Sequence, residues 1–354
     1  MYGAYLQFFD EEIRQHGLDA AFRTYYPSLL AGMFGGLFHP LIHLGYALEF
    51  RNELLLGEGF AYACSWYRDL GAIIDETSPQ DIPRAATDPW QALQVIAADM
   101  SGDFTADAAE PEFETRLCGV LARPRMVEKM TQLVQGYVPL DPAPPVSGYS
   151  GDHNNSTFDD EKGPNTSDES DEGLVTLDVL HRLTECTVAV YADLTSKGAH
   201  LDFYLAHAVT SLIATFMILP YLDDSRDRVR QLRLQLFALL GVYTVEGRGD
   251  LPRQPTAAVS IKLKREASEA ETAMATATPD DSLSGTDRWM DIRSRAILAN
   301  DDHVAKVVRA LDFFRMLYGD PDDQFYRAAL RTVDEITVAD DWRFHALPSN
   351  ASKS

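Results

Sequence analysis

Helical periodicity of apolar residues is the feature of this 354-residue sequence that most constrains its fold. Near the N-terminus, Tyr5, Phe8, Phe9 and Ile13 recur at the spacing of one face of an α-helix, and Gly17 follows as a C-terminal cap. Similar patterns recur along the chain, and no series of alternating polar and apolar residues indicates strands. The sequence therefore predicts an all-α fold.

Two polar stretches interrupt the helical pattern, at about residues 139–173 and 251–285. The first is rich in Pro, Gly, Ser, Asn and Asp, and the second in Ala, Thr, Ser and Glu, with one short helix predicted at 261–275. Such segments bury too little apolar surface to offset the entropy lost on ordering. We therefore predict a single multi-helix domain over residues 1–354 with two disordered or loop insertions. The other predicted helices are 19–30, 39–56, 59–74, 90–98, 112–137 with a break near Pro124, 174–195, 200–219, 227–245, 288–298, 302–318 and 324–336.

The net charge limits which partners the protein can bind, and the cysteines indicate its compartment. The net charge of −23 argues against nucleic acid, because phosphate binding requires a basic surface, and against an anionic membrane. The longest uncharged apolar stretch, near residues 212–222, is too short to span a bilayer, and the N-terminus lacks the pattern of a secretory signal. Cys64, Cys118 and Cys186 are far apart and odd in number, which favours a reducing compartment. We predict a cytoplasmic protein without a nucleic-acid or membrane partner.

The segment around His39 is the most distinctive in the sequence. Pro40 suits the first turn of a helix, so His39 lies at the helix start and His43 one turn later on the same side. Two neutral imidazoles at this spacing can bind a divalent transition metal, although core or capping histidines produce the same pattern. A zinc protease is disfavoured, because Pro40 stands where its glutamate base would follow the first histidine.

Two further segments contain histidines in helical context. His207 lies among apolar residues, which indicates either a buried histidine satisfied by a hydrogen bond or a metal ligand. His303 and Lys306 are one turn apart, close to a helix start that Asp301 or Asp302 can cap. Cations there oppose the helix dipole, which mildly favours a functional role over a structural one.

Motifs of other enzyme classes are missing from the sequence. It contains no G-x-S-x-G motif, no P-loop, and no G-x-G-x-x-G after a predicted strand. The glycines at Gly32, Gly35 and Gly36 have no strand before them, so they indicate close helix packing. A cofactor bound through a Rossmann fold is therefore not expected.

Three blocks, residues 39–46, 202–207 and 303–311, together with Glu49 and 58–61, resemble the questin-oxidase-like family in the family's own order. A leader at residues 5–9 precedes them. The resemblance covers most of the chain outside the two polar insertions. It implies an oxidoreductase that opens a ring of an anthraquinone-type polyketide with O₂, either at a non-haem iron centre or by NADPH-dependent Baeyer–Villiger-type oxidation.

The resemblance also implies a set of site residues. His39, His207 and His303 become candidate ligands of Fe(II), and Lys306, once carboxylated, a candidate oxygen ligand. His43 would be either a further ligand or a neighbour of one.

Aromatic residues beside these histidines could hold a flat aromatic polyketide. Phe38, Tyr46, Phe203 and Tyr204 are the candidates, although aromatic residues at helical spacing are also typical of a plain core. Which substrate the protein takes, and its oligomeric state, stay open.

One departure from the family concerns the N-terminal region. Family members usually have an upstream helix with a further histidine pair, whereas the only histidine before His39 here is His16. An N-terminally truncated or diverged, non-catalytic helical binding protein is therefore the alternative to an active enzyme.

Overall fold

The computed structural model describes residues 1–75, 88–107, 110, 112–137, 169–194, 201–252, 254, 283–338 and 341–342, with only the backbone given for 169–177 and 283–287. In these ranges regular structure consists of helices, and an isolated β-bridge pairs Asn300 with Val338. The predicted all-α fold is therefore confirmed. The helices are α1 Tyr2–His16, α2 Leu18–Leu29, α3 His39–Glu49, α4 Glu53–Ser65, α5 Gly71–Ile74, α6 Pro89–Ala97, α7 Phe113–Leu121, α8 Pro124–Gly136, α9 Glu169–Asp193, α10 Phe203–Ile218, α11 Ser225–Val245, α12 Leu283–Leu298, α13 Asp302–Tyr318 and α14 Gln324–Glu335, with 3-10 turns at Leu30–Gly32 and Leu219–Tyr221.

Most helix boundaries agree with the periodicity, but the helix predicted over residues 39–56 was wrong. The chain leaves α3 after Glu49, and Arg51 takes a left-handed conformation with a φ of 52°. The Asn52 side chain then accepts hydrogen bonds from the backbone N–H groups of Leu54 and Leu55 and starts α4. An asparagine N-cap thus separates two helices whose apolar patterns run together in the sequence.

The predicted helix 59–74 was wrong for a similar reason, since α4 ends at Ser65 and α5 is a separate short helix at Gly71–Ile74. Most of each predicted insertion lies outside the described residues. At their ends, however, α9 already begins at Glu169 and α12 at Leu283.

Helix α10 lies at the centre of the molecule and packs against α3, α9, α11 and α13. The contact with α3 is close, because a Cβ atom at Gly45 would lie 2.4 Å from the Cα atom of Ala214. Glycine at this position therefore allows the two backbones to approach. The approach sets the N-terminal part of α3, which begins at His39, beside α10.

The apolar stretch is longer than the one expected at residues 212–222, since residues Phe203–Tyr221 are long and apolar enough to cross a membrane by length and composition. In the most apolar window of this segment, 72% of the residues are buried inside the protein. The core helix of a water-soluble protein has the same composition, because burial on all sides removes the polar face. Packing of α10 between four helices thus accounts for its apolar sequence.

Buried polar side chains join α10 to α11. Gln231 donates to the hydroxyl of Thr215 at 2.9 Å, and that hydroxyl donates to Gln235 at 3.0 Å. Gln235 in turn donates to the carbonyl of Ala208 at 3.2 Å, and the hydroxyl of Tyr26 donates to Gln231. A fully connected network of this kind specifies one relative position of the packed helices.

Candidate metal centre

The imidazoles of His39, His207 and His303 come together between α3, α10 and α13. One ligand atom of each histidine lies within 4.8 Å of those of the other two. The Nε2 atoms of His39 and His207 are 3.3 Å apart, and the ring centroids of His207 and His303 are 5.0 Å apart. The structure therefore brings together three of the residues that the sequence singled out.

The loop before α3 holds His39 in place. Gly36, Leu37 and Phe38 have φ angles of 63°, 57° and 63°, a left-handed run that is unfavourable for the two residues with side chains. The carbonyl of Gly36 lies 2.7 Å from Nδ1 of His39 and accepts a hydrogen bond from it. This bond puts the ring proton on Nδ1 and leaves the Nε2 lone pair directed at His207.

His207 is held in the same way from within its own helix. Its side chain is 2% exposed, and Nδ1 lies 2.8 Å from the carbonyl of Phe203, one turn earlier. Donation from Nδ1 again leaves Nε2 with a lone pair. The two Nε2 atoms, neither of which carries a proton, thus face each other at 3.3 Å. Neither ring can donate a hydrogen bond to the other unless it changes tautomer.

His303 is oriented by Asp301. One carboxylate oxygen of Asp301 accepts from the backbone N–H of His303 at 2.7 Å, which caps α13, and the same oxygen lies 3.0 Å from Nδ1 of the ring. A carboxylate behind a histidine in this way fixes its tautomer and makes the other nitrogen a better ligand. Asp301 is thus both a helix cap and the orienting partner of a candidate ligand.

The charge states of these histidines suit a metal. Burial lowers the pKa of His39 and, to a greater extent, that of His207, where the charge of His39 is the next cause. Burial also lowers the pKa of His43. These imidazoles are therefore neutral at physiological pH, which is the form that binds metals.

The donor geometry fits one first-row transition-metal ion. Two nitrogens that each lie about 2.1 Å from one ion, roughly 100° apart, are about 3.2 Å from each other. The observed Nε2 separation of 3.3 Å between His39 and His207 agrees with this value. Three imidazole ligands suit Zn, Cu, Fe or Ni, so the geometry allows iron without selecting it.

The two other candidate ligands lie beside this group. Lys306 forms an ion pair with Asp302, one turn earlier on α13, and its positive charge lowers the pKa of His39 and His207. The ring of His43 lies 6.4 Å from that of His39, centroid to centroid. Both residues border the site, while the compact group consists of the other three histidines.

The four aromatic residues predicted to line a pocket have different surroundings. Phe203 contacts both His207 and His303, with ring centroids at 4.6 and 4.7 Å. Tyr46 lies further along α3, stacked on Phe50. Phe38 and Tyr204 pack instead against other aromatic rings, those of Phe34 at 4.3 Å and Phe113 at 4.4 Å.

Sequence reasoning missed Tyr62 as a neighbour of the site. Its ring on α4 lies 6.0 Å from that of His39, nearly parallel to it, and 5.9 Å from that of His43. Nothing in its local pattern distinguishes it from a core tyrosine. The Tyr62 ring also lies close to Gly36, where an added Cβ atom would be 3.3 Å from it. This proximity arises from the tertiary fold and is not visible in the sequence.

A cleft of about 610 Å³ opens beside His303. Its volume lies in the range typical of pockets for small molecules. Phe203 and His303 line it, so the cleft adjoins the histidine group from the α13 side. The remaining lining residues are Ala296, Ile297, Ala299, Asn300, Asp301, Asp302 and Ala305.

Three other proteins share a segment of similar sequence with this chain. A segment of the chain is 38% identical over 71 residues to Oxidoreductase AflY of Aspergillus parasiticus, covering 18% of this chain and 14% of that protein. Baeyer-Villiger oxidase notM of an Aspergillus species is 35% identical over 68 residues (17% of each protein). Baeyer-Villiger monooxygenase dmxR6 of a Cryptosporiopsis species is 35% identical over 71 residues (18% of this chain, 16% of that protein).

The matched segments thus span less than a fifth of each of these relatives. The family model covers far more of the chain, since the model described as Questin oxidase-like matches residues 1–311. All three histidines of the group lie within that match. The chain therefore belongs to the questin oxidase-like family.

Proposed function

We propose that this protein is a metal-dependent oxidoreductase that uses O₂ to open a ring of an aromatic polyketide. The observation that carries the proposal is the convergence of His39, His207 and His303, whose ligand atoms lie within 4.8 Å of one another. A non-catalytic binding protein would have no need for a buried His207 and two half-buried histidines that converge in this way, since removing their nitrogens from water costs free energy. We take the metal to be Fe(II), and the compartment to be the cytosol.

The chain's own residues would perform four tasks at this centre. The three histidines would hold the ion through Nε2, and Asp301 would keep His303 in the ligating tautomer. Phe203 and Tyr62 would hold a flat substrate and exclude water. Bound Fe(II) would supply activation of O₂ at its open coordination positions.

Carboxylation of Lys306 is a further part of this proposal and rests on the family resemblance. The positive charge of Lys306 lowers the pKa of His39, His43 and His207, which supports this proposal. Carboxylation would require it to leave Asp302, with which it is paired in this structure. A Lys306→Ala variant would then lose metal affinity, and added short-chain carboxylates would restore part of it.

Metal analysis and O₂ uptake test the proposal. We expect about one iron per chain in protein purified without added metal, and iron-dependent O₂ uptake with hydroxyanthraquinones. His303→Ala should lose both. The matched control is His16→Ala, because His16 is an exposed histidine on α1 paired only loosely with Glu12 at 3.7 Å. Equal iron content in the two variants would refute the proposal.

A metal-free oxidation with NADPH is the second candidate, favoured by the names of two relatives as Baeyer-Villiger enzymes. It predicts substrate-dependent NADPH consumption that persists after chelation of metals. It also predicts an unchanged rate in His303→Ala, so the same two preparations separate the candidates.

A further inference from the structure

The chain beyond α14 returns to the candidate metal centre. We call its described residues there, 336–338 and 341–342, the C-terminal segment. Asn300, which lines the cleft, pairs with Val338 in an isolated β-bridge, and its backbone N–H donates to the carbonyl of Thr337 at 3.4 Å. The segment thus lies along the edge of the cleft, directly before the residues that begin α13.

The carboxylate of Asp341 closes a turn in the C-terminal segment. Its Oδ2 atom accepts from the backbone N–H groups of Thr337 and Val338, at 2.8 and 3.0 Å. The same atom accepts from the hydroxyl of Thr337 at 2.8 Å. These bonds fix the path of the chain up to Trp342, the residue after Asp341.

Trp342 connects the C-terminal segment to two of the three candidate ligands. It is 3% exposed and packs edge-on against Phe203, with ring centroids 6.0 Å apart and an interplanar angle of 74°. Phe203 in turn contacts His207 at 4.6 Å and His303 at 4.7 Å. A continuous row of ring contacts therefore runs from Trp342 to the histidines.

This packing supplies a restraint that the hydrogen bonds at the histidines do not. Asp301 holds Nδ1 of His303, but the torsion that turns an imidazole has broad energy wells, so one hydrogen bond does not fix the ring. The neighbouring ring of Phe203 limits that rotation as long as Phe203 itself stays in place. Because Phe203 also lines the open cleft, removal of the Trp342 indole would leave it room to turn away.

We propose that Trp342 is a positioning residue of the metal centre, which acts through Phe203 to keep His207 and His303 in the geometry that binds the ion. Ligands whose rotamers are already held by packing bind a metal more tightly than loosely held ones. This inference rests on the metal centre of the proposed function. It adds a requirement from outside the residues that the family model matches, which end at 311.

The contact that Trp342 makes with Phe203 is apolar. The indole N–H of Trp342 is buried and has no hydrogen-bond partner among the residues that the structure describes. A phenylalanine at this position would therefore lose no hydrogen bond and could still pack against Phe203. Trp342→Phe should retain the positioning effect, whereas Trp342→Ala should not.

Binding of Co(II) to the full-length protein tests the inference without any need for turnover. Co(II) held by histidines absorbs visible light, and its spectrum depends on the number and arrangement of the ligands. We expect Trp342→Ala to bind Co(II) about tenfold more weakly than the unmodified protein, with a changed spectrum. Trp342→Phe should match the unmodified protein in both affinity and spectrum.

Trp289→Ala is the matched control, because Trp289 is also a buried tryptophan, at 5% exposure. Its ring contacts Tyr326 and the guanidinium of Arg315, and Arg315 lies about 18 Å beyond His303 along the axis of α13. Removal of this ring should reduce stability as Trp342→Ala does. It should leave the affinity for Co(II) and the spectrum unchanged.

Unchanged affinity and spectrum in folded Trp342→Ala would overturn the inference, and so would an equal loss of affinity in Trp289→Ala. If circular dichroism shows that Trp342→Ala does not fold, Trp342→Leu, which keeps apolar volume without a flat ring, is judged by the same criteria. A Trp342 effect on Co(II) binding, in a protein whose iron-loaded form takes up no O₂ with hydroxyanthraquinones, would refute the proposed function alone.

Discussion

The histidines of the candidate metal centre and His181 on α9 differ in what surrounds the ring nitrogens. At the candidate metal centre, local oxygen atoms hold Nδ1 of each histidine, and the other nitrogens converge. His181 is buried like His207 but stacks on Tyr318 at 4.1 Å, with Nε2 facing Glu185 at 3.4 Å. A buried histidine is therefore a candidate metal ligand only when the lone pair of its free nitrogen points towards other ligand atoms.

The His181–Glu185 contact has the geometry of an ion pair, yet burial overcomes the attraction. Burial lowers the pKa of His181 to about 4 and raises that of Glu185 to about 7. Between these values both groups are neutral, so the contact is a neutral one. Exclusion of solvent can thus keep both members of a buried acid–base pair uncharged.

The largest expected effect is on metal affinity, which should fall in a His207 variant and not in a His181 variant. His207→Ala removes a ligand from the convergent group, and we expect its affinity for Fe(II) to fall by at least about 100-fold. His181→Ala removes an equally buried histidine and should leave iron content unchanged. Elemental analysis and competition with a chromophoric chelator measure both variants, and equal losses would contradict the distinction.

The second effect concerns the carboxylate behind His303. Asp301→Asn keeps an oxygen that can cap α13 but weakens the acceptor of the Nδ1 proton, so we expect a roughly 10- to 100-fold loss of metal affinity with little loss of stability. Glu185→Gln alters the carboxylate beside His181 and should not change metal affinity. If the Asp301→Asn protein binds iron normally, Asp301 acts only as the N-cap of α13 and does not orient His303.

A smaller effect appears in stability at alkaline pH. The pKa of Glu185 is raised from 4.5 to about 7, so its favourable contribution is complete below pH 4.5 and is lost as the pH rises from 4.5 to about 7. Glu185→Gln stays neutral, and we expect it to be more stable than the unmodified protein at pH 8 by on the order of 1 kcal/mol. Urea unfolding at about pH 4 and pH 8 measures the change, which should disappear at about pH 4.

The smallest expected effect is a loss of stability as the pH falls rather than as it rises. Because the pKa of His181 is lowered to about 4, its contribution is complete above pH 6.5 and is lost as pH falls towards 4. His181→Gln should therefore lose less stability than the unmodified protein between pH 7 and pH 5, by about 1 kcal/mol or less. Thermal unfolding in matched buffers tests this, and parallel curves for the two proteins would show that His181 does not titrate.

Several parts of the fold could be predicted from local sequence. The limits of α13, Asp302–Tyr318, follow from periodicity and from the Asp301 cap, and the end of α1 follows from Gly17. Prediction failed between α3 and α4, where the apolar pattern continues across a turn. The turn depends on one asparagine cap and a left-handed Arg51, which periodicity does not detect.

The sequence by itself determined that the chain is helical and which histidines are candidate ligands. The structure adds that the Nδ1 partners of His39, His207 and His303 lie only two to four residues away. Such short-range bonds depend on helix starts and turns. Only the tertiary structure decided which histidines meet. The approach of α3 to α10 at Gly45 sets His39 beside His207, 168 residues later. Long-range packing, which no local pattern encodes, therefore distinguishes a candidate metal centre from an ordinary buried histidine.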